Sequence, residues 1–161
     1  MDVYLQRILD TLGDNDPIEV LGTTPQRLVA LLEAMTPADL DRSYAPGKWD
    51  ARHVFAHLAD VELGTGFRLR QTLSQPGIEL PAFDQDLWAR RYRRADAALA
   101  VEAFRGLRAW NLALLATLSL DDWLAEGYHP ERGFESVDVM VRFLAGHDLN
   151  HLSQLDAITA A

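Results

Sequence analysis

The sequence predicts an all-α helical bundle, on three observations. Apolar residues recur at spacings of three and four through several long segments, alternating strand-like runs are nearly absent, and the polar connections are short. At 161 residues the chain suits one compact domain, residues 1–161, and is too short for two ordinary ones. Apolar residues at 48% and charged residues at 24% give the balance of a folded globular protein, which excludes a disordered or fibrous chain.

Each element follows in turn from its pattern. The first predicted helix covers residues 2–12, with Leu5, Ile8, Leu9 and Leu12 on one face, and ends at Gly13 and the polar DNDP stretch. A second starts after TTP, with Thr24 as N-cap and Pro25 at the first helical position, and runs to about Met35 through Leu28, Leu31 and Leu32. The third is long, from about Ala51 to Leu73, and SQPG stops it. Residues 78–95 contain Pro81 and DLWARRYRRAD and read as a loop with a short helix. Residues 96–118 form another long helix, with Phe104, Leu107, Trp110, Asn111, Leu114 and Leu118 near one face. Gly127, Pro130 and Gly133 make 125–135 a loop or short hairpin, and Ser136 caps a last helix reaching about Thr159. Trp88, Trp110, Trp123, Phe104 and Phe143 are expected in the core or at an interface. There is no internal repeat, low-complexity tract or Pro-rich linker.

Charge narrows the partners. A formal charge of −9 and a pI near 4.9 repel phosphate backbones and anionic lipid surfaces, so neither nucleic acid nor a membrane is expected. Without cysteine, the chain has no disulfide framework and no thiolate of its own. The first residues, MDVYLQRILDTLGDNDP, intersperse acids with apolar residues and read as neither a signal peptide nor a membrane span, so a cytoplasmic location is the expectation. A bundle of this size could pair as a homodimer through a helix face.

The chemistry concentrates in histidines. His147 and His151 stand four residues apart on the apolar stripe that holds Val137, Met140, Val141, Leu144, Leu155 and Ile158. Residues i and i+4 share a helix face, near enough for two imidazoles to bind one ion. His57 occupies a second stripe, beside Val54, Leu58 and Val61. Either these rings converge on a metal, or they are core histidines bonded to backbone carbonyls. His53, one turn earlier, reads as pocket rim or fourth ligand, and His129 as a solvated loop residue. Asp60 is the nearest carboxylate by sequence and a candidate base, or else a solvated helix charge; Glu62 is less well aimed. RRYRR at 90–94 is the basic cluster of an acidic chain and reads as a solvated face or, with Arg142, as a source of cations for an anionic ligand.

APGKWDARHVFAHLADVE followed much later by GHDLNHLSQL resembles the DinB-like superfamily, which includes YfiT-type metal-dependent hydrolases and bacterial thiol-dependent transferases. The likeness rests on Trp49 opening a core helix, a His-Leu pair two turns later, and a closing H-x-x-x-H-x-x-Q that ends at Gln154. It implies a four-helix bundle with extra short helices in the connections. It also implies a divalent ion, nickel or zinc, held by His57, His147 and His151. Ser153 departs from the basic residue often found there, and His53 is not typical of the family. Three neutral histidines leave an ion its full charge and an open position, whereas structural zinc usually has four ligands with cysteine among them. The resemblance therefore implies either hydrolysis of a small molecule or transfer of a low-molecular-weight thiol to an electrophile in stress or detoxification. The alternative is a non-catalytic bundle binding a metal or small ligand.

Overall fold

The structure, a computed structural model, describes residues 3–160. Four long helices carry the architecture: α2 (Pro17–Ala34), α4 (Ala51–Ser74), α6 (Ala97–Leu115) and α8 (Val137–Thr159). Around them lie α1 (Val3–Leu12), the short α3 (Pro37–Leu40), α5 (Gln85–Ala89) and α7 (Leu120–Leu124), a single 3-10 turn at Tyr92–Arg94, and a hairpin of β1 (Glu126–His129) and β2 (Gly133–Ser136). Asp16, Asp50, Asp96 and Ser136 cap the four long helices, each side chain accepting from a backbone N–H two or three residues on.

The second helix begins earlier than its sequence suggested. Asp16 caps it, Pro17 takes the first helical position, and Thr24 and Pro25 lie inside it, with the Thr24 hydroxyl donating back to the Val20 carbonyl at 2.9 Å. Asp-Pro and Thr-Pro carry the same start signal, and the first of them prevails. Pro25 has no N–H to give the Leu21 carbonyl four residues back. That carbonyl instead accepts from Nη1 of Arg108, at 2.9 Å and fully buried, so an interior proline is tolerated where a side chain replaces its missing donor.

The four long helices close a ring in which α4 packs on α6, α6 on α2, α2 on α8 and α8 on α4. Their directions follow from two apolar clusters. One joins Leu28 and Leu31 of α2 and Leu155 and Ile158 of α8 to Val54 and Leu58 of α4 and Val101 and Phe104 of α6. The other joins Val20 and Leu21 to Val141 and Leu144, Val61 and Leu69, and Leu115. So α2 and α8 run one way and α4 and α6 the other. Because α4 and its neighbour α6 are parallel, residues 75–96 must travel back along the bundle, which is why α5 and the 3-10 turn lie against α4.

Between the two clusters runs a buried polar layer. Arg108 donates to Glu62 at 2.7 Å and to both oxygens of Asp148 at 2.7 and 3.2 Å, and Asn111 donates to Glu62 at 2.8 Å. Burial alone would depress the Arg108 pKa, but Asp148 and Glu62 outweigh it and hold the guanidinium more firmly charged than usual. Phe104, Arg108, Asn111 and Leu115 thus form the inward face of α6, and Trp110 falls outside it. Trp110 is 67% exposed, which removes the core from its two expected positions, core or interface, and Arg70 lies over its ring at 5.8 Å. Among the described residues, no helix is long and apolar enough to cross a membrane.

The hairpin expected as one possibility at 125–135 forms, and the returning chain extends it. Leu80 donates to the Tyr128 carbonyl at 2.7 Å and Tyr128 to that of Ile78 at 2.8 Å. This added segment pairs along the edge of β1, which also packs on α4, and His129 on the inward face of β1 is only 2% exposed, in contrast to the solvated position expected from its loop-like sequence.

Candidate metal centre

Two helices build the centre. His57 stands in the first half of α4, and His147 and His151 on successive turns of α8, the antiparallel helix packed against it. All three are buried, at 2%, 2% and 6% exposure. Nε2 of His147 lies 3.1 Å from Nε2 of His57 and 3.1 Å from Nε2 of His151, and the candidate ligand atoms of the three lie within 4.8 Å of one another. Two nitrogens bound to one ion at about 2.0–2.1 Å sit roughly 3 Å apart, so the spacing suits a shared metal.

The donor set fits as well. Nδ1 of His151 lies 2.8 Å from the Gln154 side-chain oxygen, which places its proton on Nδ1 and leaves the Nε2 lone pair facing the other rings. A neutral imidazole offers one N–H, so hydrogen bonds alone leave one of the three converging nitrogens unsatisfied. A cation between them satisfies all three. Nδ1 of His147 is buried without a hydrogen-bond partner. Burial, then the His151 charge, pushes the His57 pKa down to about 3; burial brings His151 to about 4 and takes His147 well below its usual range. All three rings are therefore neutral at neutral pH, the form that binds metal.

The remaining sequence candidates go elsewhere. His53 is half-buried, its Nδ1 2.7 Å from Asp50 Oδ1 and its ring beside Trp49, so it joins the α4 cap instead of the triad. Asp60 accepts a hydrogen bond from the Tyr92 hydroxyl, which raises the Tyr92 pKa together with burial, and it lines neither cavity at the triad. Glu62 is consumed by Arg108 and Asn111. Arg90, Arg91, Arg93 and Arg94 are exposed around the buried Tyr92, and neither they nor Arg142 line those cavities.

Two cavities adjoin the triad, sharing Tyr4, His57 and Gln85. The larger, about 550 Å³, is lined also by His147, His129, Arg68, Arg132 and Phe143. The smaller, about 350 Å³, is lined by His151, Gln154, Trp49, Arg7 and Lys48 among others. Trp49 meets the His57 ring edge-on at 4.8 Å between centroids, so the aromatic residue noted in the sequence packs directly on a candidate ligand. Sequence reasoning missed His129 and the cavity cations, whose positions depend on which segments cover the triad.

A helical bundle that gathers three buried, neutral histidines from two of its helices, with cavities beside them, defines a class of bundle protein with an internal candidate metal centre. Residues 21–155 match the profile of the DinB superfamily, and the chain belongs to that superfamily. It is 25% identical over 145 residues to a Bacillus subtilis protein named "Putative metal-dependent hydrolase YfiT", covering 88% of this chain and 82% of that one. Two Oceanobacillus iheyensis proteins of the same designation are each 28% identical, over 142 and 149 residues, covering 86% and 89% of this chain and 80% and 84% of theirs. The solved structure of Bacillus subtilis YfiT superposes with a TM-score of 0.85 at 24% identity over 89% of this chain and 84% of that one, and its title describes "an unusual four-helix bundle topology". The four-helix fold is thereby shared.

Proposed function

We propose that the chain acts as a single domain that binds zinc or nickel through His57, His147 and His151 and hydrolyses a small-molecule substrate. The observation that carries this reading is the convergence of three Nε2 atoms, of which two-centre hydrogen bonds can satisfy only two. The names of its relatives support hydrolysis. A divalent ion held there supplies Lewis acidity and activates a water or thiol as nucleophile at neutral pH.

The chain's own groups have separable tasks. Gln154 fixes the His151 tautomer, and Trp49 closes one side of the His57 ring. In the larger cavity, Nδ1 of His129 accepts from the Glu131 N–H at 3.2 Å, which puts the ring proton on Nε2. Burial, then Arg132 and Arg68, lowers its pKa, so His129 serves as a neutral donor to a substrate oxygen. Asp60 works through Tyr92, holding the returning segment on α4, rather than as a base. A second reading, transfer of a low-molecular-weight thiol to an electrophile, is favoured by the two cavities, which would admit two reactants to one triad.

The test is metal content of untagged protein by inductively coupled plasma mass spectrometry, wild type against His147→Ala, after incubation with zinc or nickel. One equivalent in the wild type and its loss in the variant are expected. Activity screens with ester, amide and thiol-plus-electrophile pairs then separate the two reactions. Negligible metal in both proteins would overturn the reading, and stoichiometric metal without activity would favour a binding protein.

A further inference from the structure

Arg7 and Lys48 both line the smaller cavity, and among the described residues no aspartate or glutamate lines it, although the chain as a whole is strongly acidic. Among the described residues neither cation has a carboxylate within ion-pair distance, whereas Arg27, Arg42, Arg52, Arg105, Arg108 and Arg132 each do. Arg7 is held in place nonetheless. Its Nη1 donates to the Asn150 side-chain oxygen at 3.3 Å, and its guanidinium lies over the Tyr4 ring at 5.1 Å. Lys48 donates its backbone N–H to Ala45 at 3.1 Å in a turn through Gly47, whose φ of 72° suits glycine, and so stands beside Trp49 at the cavity mouth.

Two cations with no carboxylate partner among the described residues thus line a cavity that also reaches His57 and His151, two members of a centre suited to a dication. An anion entering that cavity meets both cations and, among the described residues, no carboxylate to repel it. The space of about 350 Å³ suits a small-molecule group. We infer that the smaller cavity is an anion subsite, in which Arg7 and Lys48 bind a carboxylate or phosphate group of the molecule presented to the histidine triad. The inference names the substrate class of the proposed site and rests on that reading for its purpose, but the subsite has its own binding readout.

Isothermal titration calorimetry on wild type, Arg7→Gln and Lys48→Gln, each zinc-loaded and metal-free, tests it with three probes: glutarate, inorganic phosphate and the uncharged glutaramide. Both side chains are exposed, so neither substitution opens the core, and circular dichroism verifies the fold. An anion should bind the wild type and weaken by about tenfold in each variant and again at high salt, with zinc stoichiometry unchanged and glutaramide bound far less. The preferred anion tells carboxylate from phosphate. Equal anion affinity in all three proteins, or glutaramide binding as well as glutarate, overturns the subsite. Zinc bound without any anion binding defeats the subsite alone; anion binding that depends on Arg7 and Lys48 in a chain that takes no zinc upholds it and defeats the metal centre instead.

Discussion

At the level of single residues, the neutrality of the triad sets a pH dependence whose sign is fixed. His57 and His151 have pKa values near 3 and 4 in the folded chain, against about 6.5 in an unfolded one, with burial the largest cause for both. Below about 6.5 the unfolded chain therefore binds more protons than the folded one, and stability falls with falling pH at up to roughly 1.4 kcal/mol per pH unit for each such group. Bound metal follows the same direction, because protons compete for its ligands. Zinc content after dialysis at pH 7.5, 6 and 4.5, with urea midpoints of the metal-free protein across that range, should decline together toward acid. A metal-free midpoint that is flat from 7.5 to 4.5 would contradict the buried, neutral rings. These three histidines were legible in the sequence because each lies on an apolar stripe. His129 was not, since its burial depends on the hairpin forming and turning one face of β1 inward. Nor was the partner of Asp60, because Tyr92 reaches it only when the chain folds back along α4.

At the level of elements, helix ends were legible wherever one cap stood alone, as Asp50, Asp96 and Ser136 do; α2 misled because two Asp/Thr-Pro pairs compete for its start. Close approach between helices left a subtler trace. Gly146, next to His147, faces α1, and a Cβ added there would lie 2.2 Å from the Ile8 carbonyl oxygen. Backbone cannot yield as a flexible side chain does, so Gly146→Ala must push α1 off α8 despite alanine's better helix propensity. The variant should lose about 1–3 kcal/mol by urea denaturation. Its zinc affinity should fall too, because Tyr4 and Arg7 of α1 wall the triad's cavities and Leu5 and Ile8 help seal the core beneath them. Unchanged or increased stability would mean that α1 is free to shift without cost, and that the contact does not position the site.

Over the whole molecule, the ring order and the parallel α4–α6 pair were not legible, because an apolar stripe shows that a helix is buried without saying against which partner. One signal was present: Arg108 and Asn111 share the stripe of Phe104 and Leu115, where bulky polar groups survive only inside a satisfied network. That network ties all four long helices together through Leu21, Glu62, Arg108 and Asp148. Arg108→Met keeps much of the volume yet strands two buried carboxylates, so it should destabilise by about 3–5 kcal/mol at neutral pH. The stability gap between variant and wild type should also depend on pH. Burial already raises the Asp148 pKa, and Arg108 is the largest influence opposing it, with Thr24 a smaller one. Without that cation the folded variant holds the Asp148 proton above the pH at which the unfolded chain releases it, so this group makes the variant less unstable relative to the wild type as pH falls from 7 toward 5. The buried histidines lose stability over part of the same range in both proteins, so the informative quantity is the difference between variant and wild type. Urea midpoints measured in parallel on metal-free protein should converge toward acid; a constant gap would mean that the polar layer carries no net buried charge once the arginine is gone, and that the four helices are joined there by packing alone.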